Sequence, residues 1–137
     1  MTVPIRRLLE TALYCDDIAR TAAFYEQLLG HAPMHQSERL VAFDAGQATV
    51  LLLFHRGHAQ PLPTLGGLVP GHDGTGPVHI AFAIDRPDLA AWESRLESLG
   101  IAIESRVTWD SGGVSIYFRD PDGRSVELAT PGLWPTY

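Results

Sequence analysis

The chain lacks several features that would assign it to a broad class of proteins. It has one cysteine, Cys15, so no internal disulfide can form, and a reducing cytoplasm is the expected location. Its first residues, MTVPIRRLLE, become polar too early for a signal peptide, and no apolar run approaches the roughly 20 residues that span a bilayer. No long run of Lys or Arg is present, and the formal net charge is −6. These properties argue against nucleic acids and anionic membranes as partners.

Strand and helix signals occur twice in the same order, which predicts a duplicated unit. The first half predicts a strand at 8–15, a helix at 17–29 and strands at 33–37, 39–45 and 48–54. The second half predicts a strand at 77–85, a helix from Asp85-Arg86-Pro87 to Gly100, and strands at 102–107, 113–119 and 124–129. The glycines that end the two helices, Gly30 and Gly100, are 70 positions apart. Two βαβββ modules of near-equal length, and therefore an α+β fold class, are predicted.

A length of 137 residues, 45% of them apolar, predicts one domain over 1–137, or two small halves that share a core. It is divided into module 1 at about 8–54, a loop at 55–76, module 2 at about 77–130 and a C-terminal tail at 131–137. The segment 55–76 is rich in Gly and Pro and has no hydrophobic period, so a long loop is predicted there. Loops of this length are usually functional lids or disordered linkers, and its several leucines favour a lid that packs on the body.

Three ionisable residues occupy strand-forming segments at positions where apolar side chains would be expected. They are Glu10 in LLETALYC, His79 in PVHIAFAI and Glu127 in RSVELAT. Burying such a group is costly unless it is paired, hydrogen-bonded or bound to a metal. Taken singly, His79 is explained as a core histidine and Glu10 as a solvated carboxylate. Taken together, two carboxylates and an imidazole form a set that binds a divalent cation.

Alternation along the strands predicts which side chains share a face. His79 and Glu127 are both expected among small residues, which leave room for a cavity. Tyr117 and Arg119 are predicted to share a face of the seventh strand. Tyr117 is a candidate donor to a substrate oxygen, and Arg119 a candidate partner for a substrate carboxylate. An Arg directly before DPDG is more often a surface or turn-supporting residue, and this interpretation of Arg119 is favoured.

Three segments together resemble the glyoxalase/bleomycin-resistance/extradiol-dioxygenase superfamily, also called vicinal oxygen chelate proteins. They are the opening LETALYCDDIARTAAFYEQLLG, the middle PVHIAFAID and the closing YFRDPDGRSVELAT. The resemblance covers nearly the whole chain, and the repeated modules contribute more to it than any one string. It implies two tandem βαβββ modules that form an open, curled mixed β-barrel around a central cavity with a metal. It also implies a homodimer.

The resemblance implies a set of site residues, because ligands in this family come from the first, fourth, fifth and eighth strands. Glu10, His79 and Glu127 occupy three of these positions as metal ligands, and Glu127 is also the candidate catalytic residue. The fourth strand, ATVLLLF, is apolar, so Leu52 together with Trp109 is expected to contact a substrate or ligand. A missing fourth ligand weakens an interpretation as lactoylglutathione lyase. The set is closer to the three ligands of extradiol dioxygenases and fosfomycin-modifying transferases, which usually have His where this chain has Glu10.

The implied cofactor is a divalent ion, for which one imidazole and two carboxylates suit Fe, Mn, Ni, Zn or Mg. Its open positions would bind a small oxygenated molecule through vicinal oxygens. The first hypothesis is therefore a metal-dependent lyase, isomerase or dioxygenase-like enzyme, with 55–76 and 109–113 closing over the ion. The alternative is a non-catalytic small-molecule (drug) binding protein of the bleomycin-resistance type. A relative with a vestigial site is a third, weaker hypothesis.

Overall fold

The computed structural model describes residues 2–137 and confirms the α+β architecture of two βαβββ modules. Its elements are β1 (Glu10–Cys15), α1 (Ile18–Leu29), β2 (His35–Gln36), β3 (Leu40–Asp44), β4 (Val50–His55), β5 (Leu62–Thr64), β6 (Gly67–Val69), β7 (His79–Ala83), α2 (Leu89–Ser98), β8 (Ser105–Thr108), β9 (Val114–Arg119) and β10 (Ser125–Ala129). The chain divides into two compact units, one that extends to Gly74 and one over Thr75–Tyr137. Neither helix in the described part of the chain is long and apolar enough to cross a membrane.

The first unit contains a four-stranded sheet and α1. The strand order is β1-β4-β3-β2, with β1 parallel to β4 and the other pairs antiparallel. α1 begins after Asp17, whose carboxylate accepts the Arg20 N–H at 3.1 Å, and ends at Gly30 with φ 83°. Alternate residues of the sheet are apolar and buried on one face: Leu13, Cys15, Val41, Phe43, Leu51 and Leu53. Glu10, at the start of β1, belongs to the opposite face by alternation.

The second unit has the same plan, with strand order β7-β10-β9-β8 and β7 parallel to β10. A short 3-10 turn at Arg86–Asp88 leads into α2. One face of the sheet and the helix supply the buried apolar side chains Leu96, Ile116, Phe118, Val126 and Leu128. Each fully buried side chain of this size contributes about 1.5–3 kcal/mol. The other face contains the ionisable residues of β7 and β10.

A turn with buried charges leads into β10 and thereby positions Glu127. The predicted tight turn forms at Asp120–Gly123, where the Gly123 N–H donates to the Asp120 carbonyl at 3.0 Å and Gly123 has φ 79°. Arg124, only 2% exposed, donates to the carboxylate of Asp120 at 2.7 Å and of Asp122 at 3.0 Å. The residues at the start of β10 are therefore held by charged hydrogen bonds inside the protein.

The segment between the modules, predicted as a long loop, contains a short hairpin. Leu62–Thr64 and Gly67–Val69 form an antiparallel hairpin, and the Thr64 hydroxyl donates to the Gly67 carbonyl at 2.7 Å across the turn. The sequence did not show these short strands, because Pro63 and the glycines obscured the alternation of a strand. The hairpin is exposed throughout, and Leu65 at its tip is fully exposed. Its role as a lid stays a prediction.

Candidate metal centre

His79 and Glu127 come together on one face of the second unit. His79 is the first residue of the edge strand β7, and Glu127 is the third residue of β10, which has neighbours on both sides. The register places Ser125 opposite His79, so Glu127 is a diagonal neighbour two residues further along. Nε2 of His79 lies 3.1 Å from Oε2 of Glu127. Nδ1 of the same ring lies 2.9 Å from the Ser125 carbonyl oxygen.

The partners of the imidazole determine which of its nitrogens is available. A carbonyl oxygen only accepts, so Nδ1–H of His79 donates to Ser125, and Nε2 has a lone pair whenever the ring is neutral. The ionised carboxylate of Glu127 also only accepts, so two lone pairs face each other across 3.1 Å unless a proton or a cation lies between them. A neutral imidazole nitrogen and a carboxylate oxygen directed at one point fit a divalent ion.

The other carboxylate oxygen of Glu127 is held by a chain of two side chains. The Ser115 hydroxyl donates to Oε1 of Glu127 at 2.5 Å, and the Trp109 indole N–H donates to the Ser115 hydroxyl at 2.8 Å. The Glu127 side chain is 5% exposed, Ser115 is fully buried and Trp109 is 37% exposed. Sequence reasoning left Ser115 out of the site, because twelve positions separate it from Glu127 and only the pairing of β9 with β10 brings them together.

Tyr117 lies beside both members of the pair. It is directly opposite Glu127 in the β9–β10 register, and its ring stacks on the His79 ring with centroids 6.2 Å apart. Burial raises the pKa of the Tyr117 phenol, and the negative charge of Glu127 raises it further. The phenol is therefore protonated at neutral pH, with Ser115 and Glu127 as its hydrogen-bonding neighbours.

Arg119 shares this strand face but is engaged elsewhere. Its guanidinium donates to the Glu104 carboxylate through Nε at 2.7 Å and through Nη2 at 3.2 Å. Nη1 donates to the Gly123 carbonyl of the tight turn at 3.1 Å. These are the contacts of a surface residue that supports a turn, the interpretation favoured by the sequence. Its binding of a substrate carboxylate stays a prediction.

The sheet registers identify the counterpart of Glu127 in the first unit. The residue opposite Glu10 lies two positions before Leu52, and the residue opposite His79 lies two positions before Glu127. Glu10 therefore corresponds to His79, and Leu52 corresponds to Glu127. Because the Leu52 side chain has no atom that binds a metal, the equivalent position of the fourth strand supplies no ligand.

The burial expected for the three ionisable residues holds only for Glu127. Glu10 is exposed, and the His79 side chain is 51% exposed. The expectation was wrong for these two because each begins a strand at the edge of its sheet. Within residues 2–137 no three His, Cys, Asp or Glu side chains are grouped as a metal site. The pair of His79 and Glu127 is the part of the predicted set that the second unit brings together, and the role of Glu10 stays a prediction.

The first unit contains an aromatic cluster that sequence reasoning missed. The Tyr14 hydroxyl lies 2.6 Å from Nδ1 of His72, and the His72 ring meets the Phe54 ring edge-on with centroids 4.6 Å apart. Burial raises the pKa of Tyr14, and the charge of Asp73 adds to this effect. The carbonyl of Gly74 accepts from the Arg56 guanidinium. The end of the segment between the modules is thus attached to the sheet of the first unit. The sequence did not show this attachment, because the segment has no hydrophobic period.

The chain belongs to the Glyoxalase/Bleomycin resistance protein/Dioxygenase superfamily, whose family model matches residues 7–128. It is 30% identical over 119 residues to the metallothiol transferase FosB of Bacillus licheniformis, covering 86% of this chain and 71% of that protein. The FosB of Shouchella clausii is 29% identical over 116 residues, covering 83% and 73%. Among solved structures, a lactoylglutathione lyase from Agrobacterium tumefaciens has a TM-score of 0.86 and 33% identity, covering 97% of this chain and 99% of that one. The resemblance found in the sequence is confirmed.

Proposed function

We propose that this protein is a divalent-metal-dependent enzyme that acts on a small oxygenated molecule bound through vicinal oxygens. The observation that carries the proposal is the pair of His79 and Glu127, whose Nε2 and Oε2 atoms face each other at 3.1 Å. The similarity to a metallothiol transferase and to a lactoylglutathione lyase supports metal chemistry in a protein of this fold.

In this proposal Glu10, His79 and Glu127 hold the ion, which is Fe, Mn, Ni, Zn or Mg. Two carboxylates and one imidazole make a hard, anionic donor set with no thiolate. A bound ion of this kind supplies Lewis-acid chemistry by polarising substrate oxygens. Three protein ligands leave coordination positions open to the substrate.

The remaining residues of the proposal bind and orient the substrate. Tyr117 is protonated at neutral pH and donates to a substrate oxygen. Leu52 and the ring of Trp109 supply apolar contacts to the substrate. Arg119 releases the Glu104 carboxylate and pairs with a substrate carboxylate instead. Glu127 is the candidate proton acceptor, since burial and hydrogen bonds fix its carboxylate. The reaction is a lyase, isomerase or dioxygenase-like step, and the apolar Leu52 argues against the four-ligand chemistry of lactoylglutathione lyase.

Metal analysis of the purified protein tests the proposal. We expect about one of these five ions per chain, and at least a hundredfold weaker Mn²⁺ binding in His79→Ala and Glu127→Gln. The first variant removes the imidazole, and the second replaces the carboxylate with a neutral amide. Glu97→Gln, which changes an exposed carboxylate on α2, is the matched control and should bind as the wild type does. A folded wild type that contains none of the five ions and takes up none in titration would overturn the proposal.

The metal-loaded protein is then assayed for O₂ uptake with catechols, for isomerisation of glutathione hemithioacetals and for transfer of thiols. The reaction class is identified by the assay in which the wild type shows turnover and Glu127→Gln does not. If none of these is turned over and drug-like molecules bind equally well without metal, the non-catalytic binding protein is favoured instead.

A further inference from the structure

Trp109 was expected to contact a substrate, but its indole N–H already has a partner inside the second unit. We propose that Trp109 is a positioning residue that acts through the Ser115 hydroxyl to hold the Glu127 carboxylate toward His79. This inference rests on the proposed metal-dependent function and adds to it the group that orients one of the ligands.

The direction of each hydrogen bond in the chain follows from its donors. An indole N–H only donates, so the Ser115 oxygen accepts from Trp109 at 2.8 Å. The one hydrogen of the Ser115 hydroxyl is therefore directed to Oε1 of Glu127 at 2.5 Å. With Oε1 held in this way, Oε2 is the oxygen that faces Nε2 of His79 at 3.1 Å. The chain of contacts therefore runs from the Trp109 indole through the Ser115 hydroxyl and the Glu127 carboxylate to the proposed metal position.

The backbone around Trp109 is itself closely constrained. The Trp109 N–H donates to the Gly113 carbonyl at 2.8 Å, and the Gly112 N–H donates to the Trp109 carbonyl at 2.9 Å. The Gly113 N–H in turn donates to the Gly132 carbonyl at 3.1 Å. A Cβ on Gly113 would lie 2.7 Å from the backbone of Gly132, so the segments are in direct backbone contact. The indole is therefore presented from a fixed turn, as an orienting group requires.

Burial makes the orientation of Glu127 depend on this chain. Ser115 is fully buried and the Glu127 side chain is 5% exposed, so no bulk water replaces a lost donor. Groups that hydrogen-bond to metal ligands typically change metal affinity by about 10- to 100-fold when they are removed. Trp109 is 37% exposed, while its indole N–H is occupied by Ser115. A substrate contact of Trp109 is accordingly limited to the ring.

The test compares Mn²⁺ affinity, by calorimetry, in Ser115→Ala, Trp109→Phe and the double variant. We expect Ser115→Ala to weaken binding about 10- to 100-fold. Trp109→Phe keeps a ring but removes the N–H, and one hydrogen bond corresponds to a loss of about 2- to 10-fold. Because the tryptophan acts through the serine, the double variant should bind no more weakly than Ser115→Ala alone. A purely structural role of Trp109 would instead add its own factor in both backgrounds.

The other two tryptophans supply matched controls. Trp92→Phe and Trp134→Phe remove indoles that have no bond to Ser115, and they should bind Mn²⁺ as the wild type does. Urea unfolding of the metal-free variants verifies that each is folded. Equal affinity of the wild type, Ser115→Ala and Trp109→Phe would overturn the inference and leave the metal site intact.

A second measurement separates this inference from the function on which it rests. The indole ¹H–¹⁵N signal of Trp109, assigned by its absence in Trp109→Phe, should move in metal-free Ser115→Ala and in metal-free Glu127→Gln. If the wild type contains and takes up none of the five ions but this signal moves, the proposed function fails and the hydrogen-bond chain stands. A signal that stays in place in both variants would overturn the chain whatever the metal result.

Discussion

At the scale of single residues, the buried carboxylate of Glu127 changes the ionisation of its neighbour Tyr117. Burial and the negative charge both oppose formation of the phenolate, so the pKa of Tyr117 is raised above its ordinary value of 10.0. A group whose pKa is higher in the folded state binds its proton more tightly there. Its contribution to stability is complete below the unfolded pKa and is lost as the pH rises through the folded pKa.

We therefore expect the free energy of unfolding of the wild type to fall more steeply above about pH 10 than that of Tyr117→Phe, which has no phenol to ionise. The measurement is urea unfolding at several values between about pH 8 and 12. Below about pH 9 the two profiles should run parallel. Parallel profiles over the whole range would show that the folded and unfolded states bind the Tyr117 proton equally.

Sequence reasoning at this scale predicted the faces of strands but not the contacts across them. Alternation placed Tyr117 and Glu127 correctly within their strands. It gave no measure of exposure for Glu10 or His79, because whether a strand lies at the edge depends on the order of strands in the sheet. The bond from Ser115 to Glu127 depends on a register between strands, which no local pattern encodes.

At the scale of elements, the turn before β10 concentrates charge where the strand begins. The side chains of Arg124, Asp120 and Asp122 are at most 4% exposed, and Arg124 donates to both carboxylates. Such a group is stable only as a complete set, since a buried carboxylate that loses its cation keeps the full cost of desolvation. The Arg119 pair with Glu104 forms near the same turn, but about half of each side chain is exposed.

Removal of the buried cation by Arg124→Ala should lower the free energy of unfolding by about 3–5 kcal/mol. Arg119→Ala removes the same type of side chain from an exposed pair and should cost no more than about 1 kcal/mol. Urea unfolding at neutral pH checks both values. A similar loss in the two variants would contradict the distinction between the buried and the exposed pair.

Element order was predictable because hydrophobic periods and helix ends recur in both modules. The turn at Asp120–Gly123 was predictable from DPDG alone, since Gly123 takes the positive φ that the pattern requires. The hairpin of β5 and β6 was not, because three-residue strands with Pro63 inside one of them are too short to show a period. The attachment of His72 to Tyr14 was equally hidden, since 58 positions separate the two residues.

At the scale of the whole molecule, family membership and charge point to the same kind of ligand. The chain has a formal net charge of −6, which favours the approach of cations and disfavours polyanions. If a divalent ion binds only the folded protein, it stabilises that state by mass action. The effect depends on the concentration of the ion relative to its dissociation constant.

Addition of Mn²⁺ at a hundred times its dissociation constant should raise stability by about 2.7 kcal/mol. For a chain of this length that corresponds to a rise in Tm on the order of 10 °C, and a chelator should reverse it. Scanning calorimetry at constant ionic strength measures the shift, with Glu127→Gln as the control that should not respond. An equal rise in that variant would point to ions bound at the acidic surface rather than at the proposed centre.

The placement of His79 and Glu127 on unlike strands has a mechanical consequence. Glu127 lies in a strand paired on both sides and follows a buried ionic turn, so its carboxylate is a stiff support. His79 begins an edge strand with half of its side chain in solvent, so its ring yields more easily. In the proposed centre, an adjustment to the radius of the ion would therefore fall on the imidazole. A site with one fixed and one mobile ligand would accept ions of several sizes.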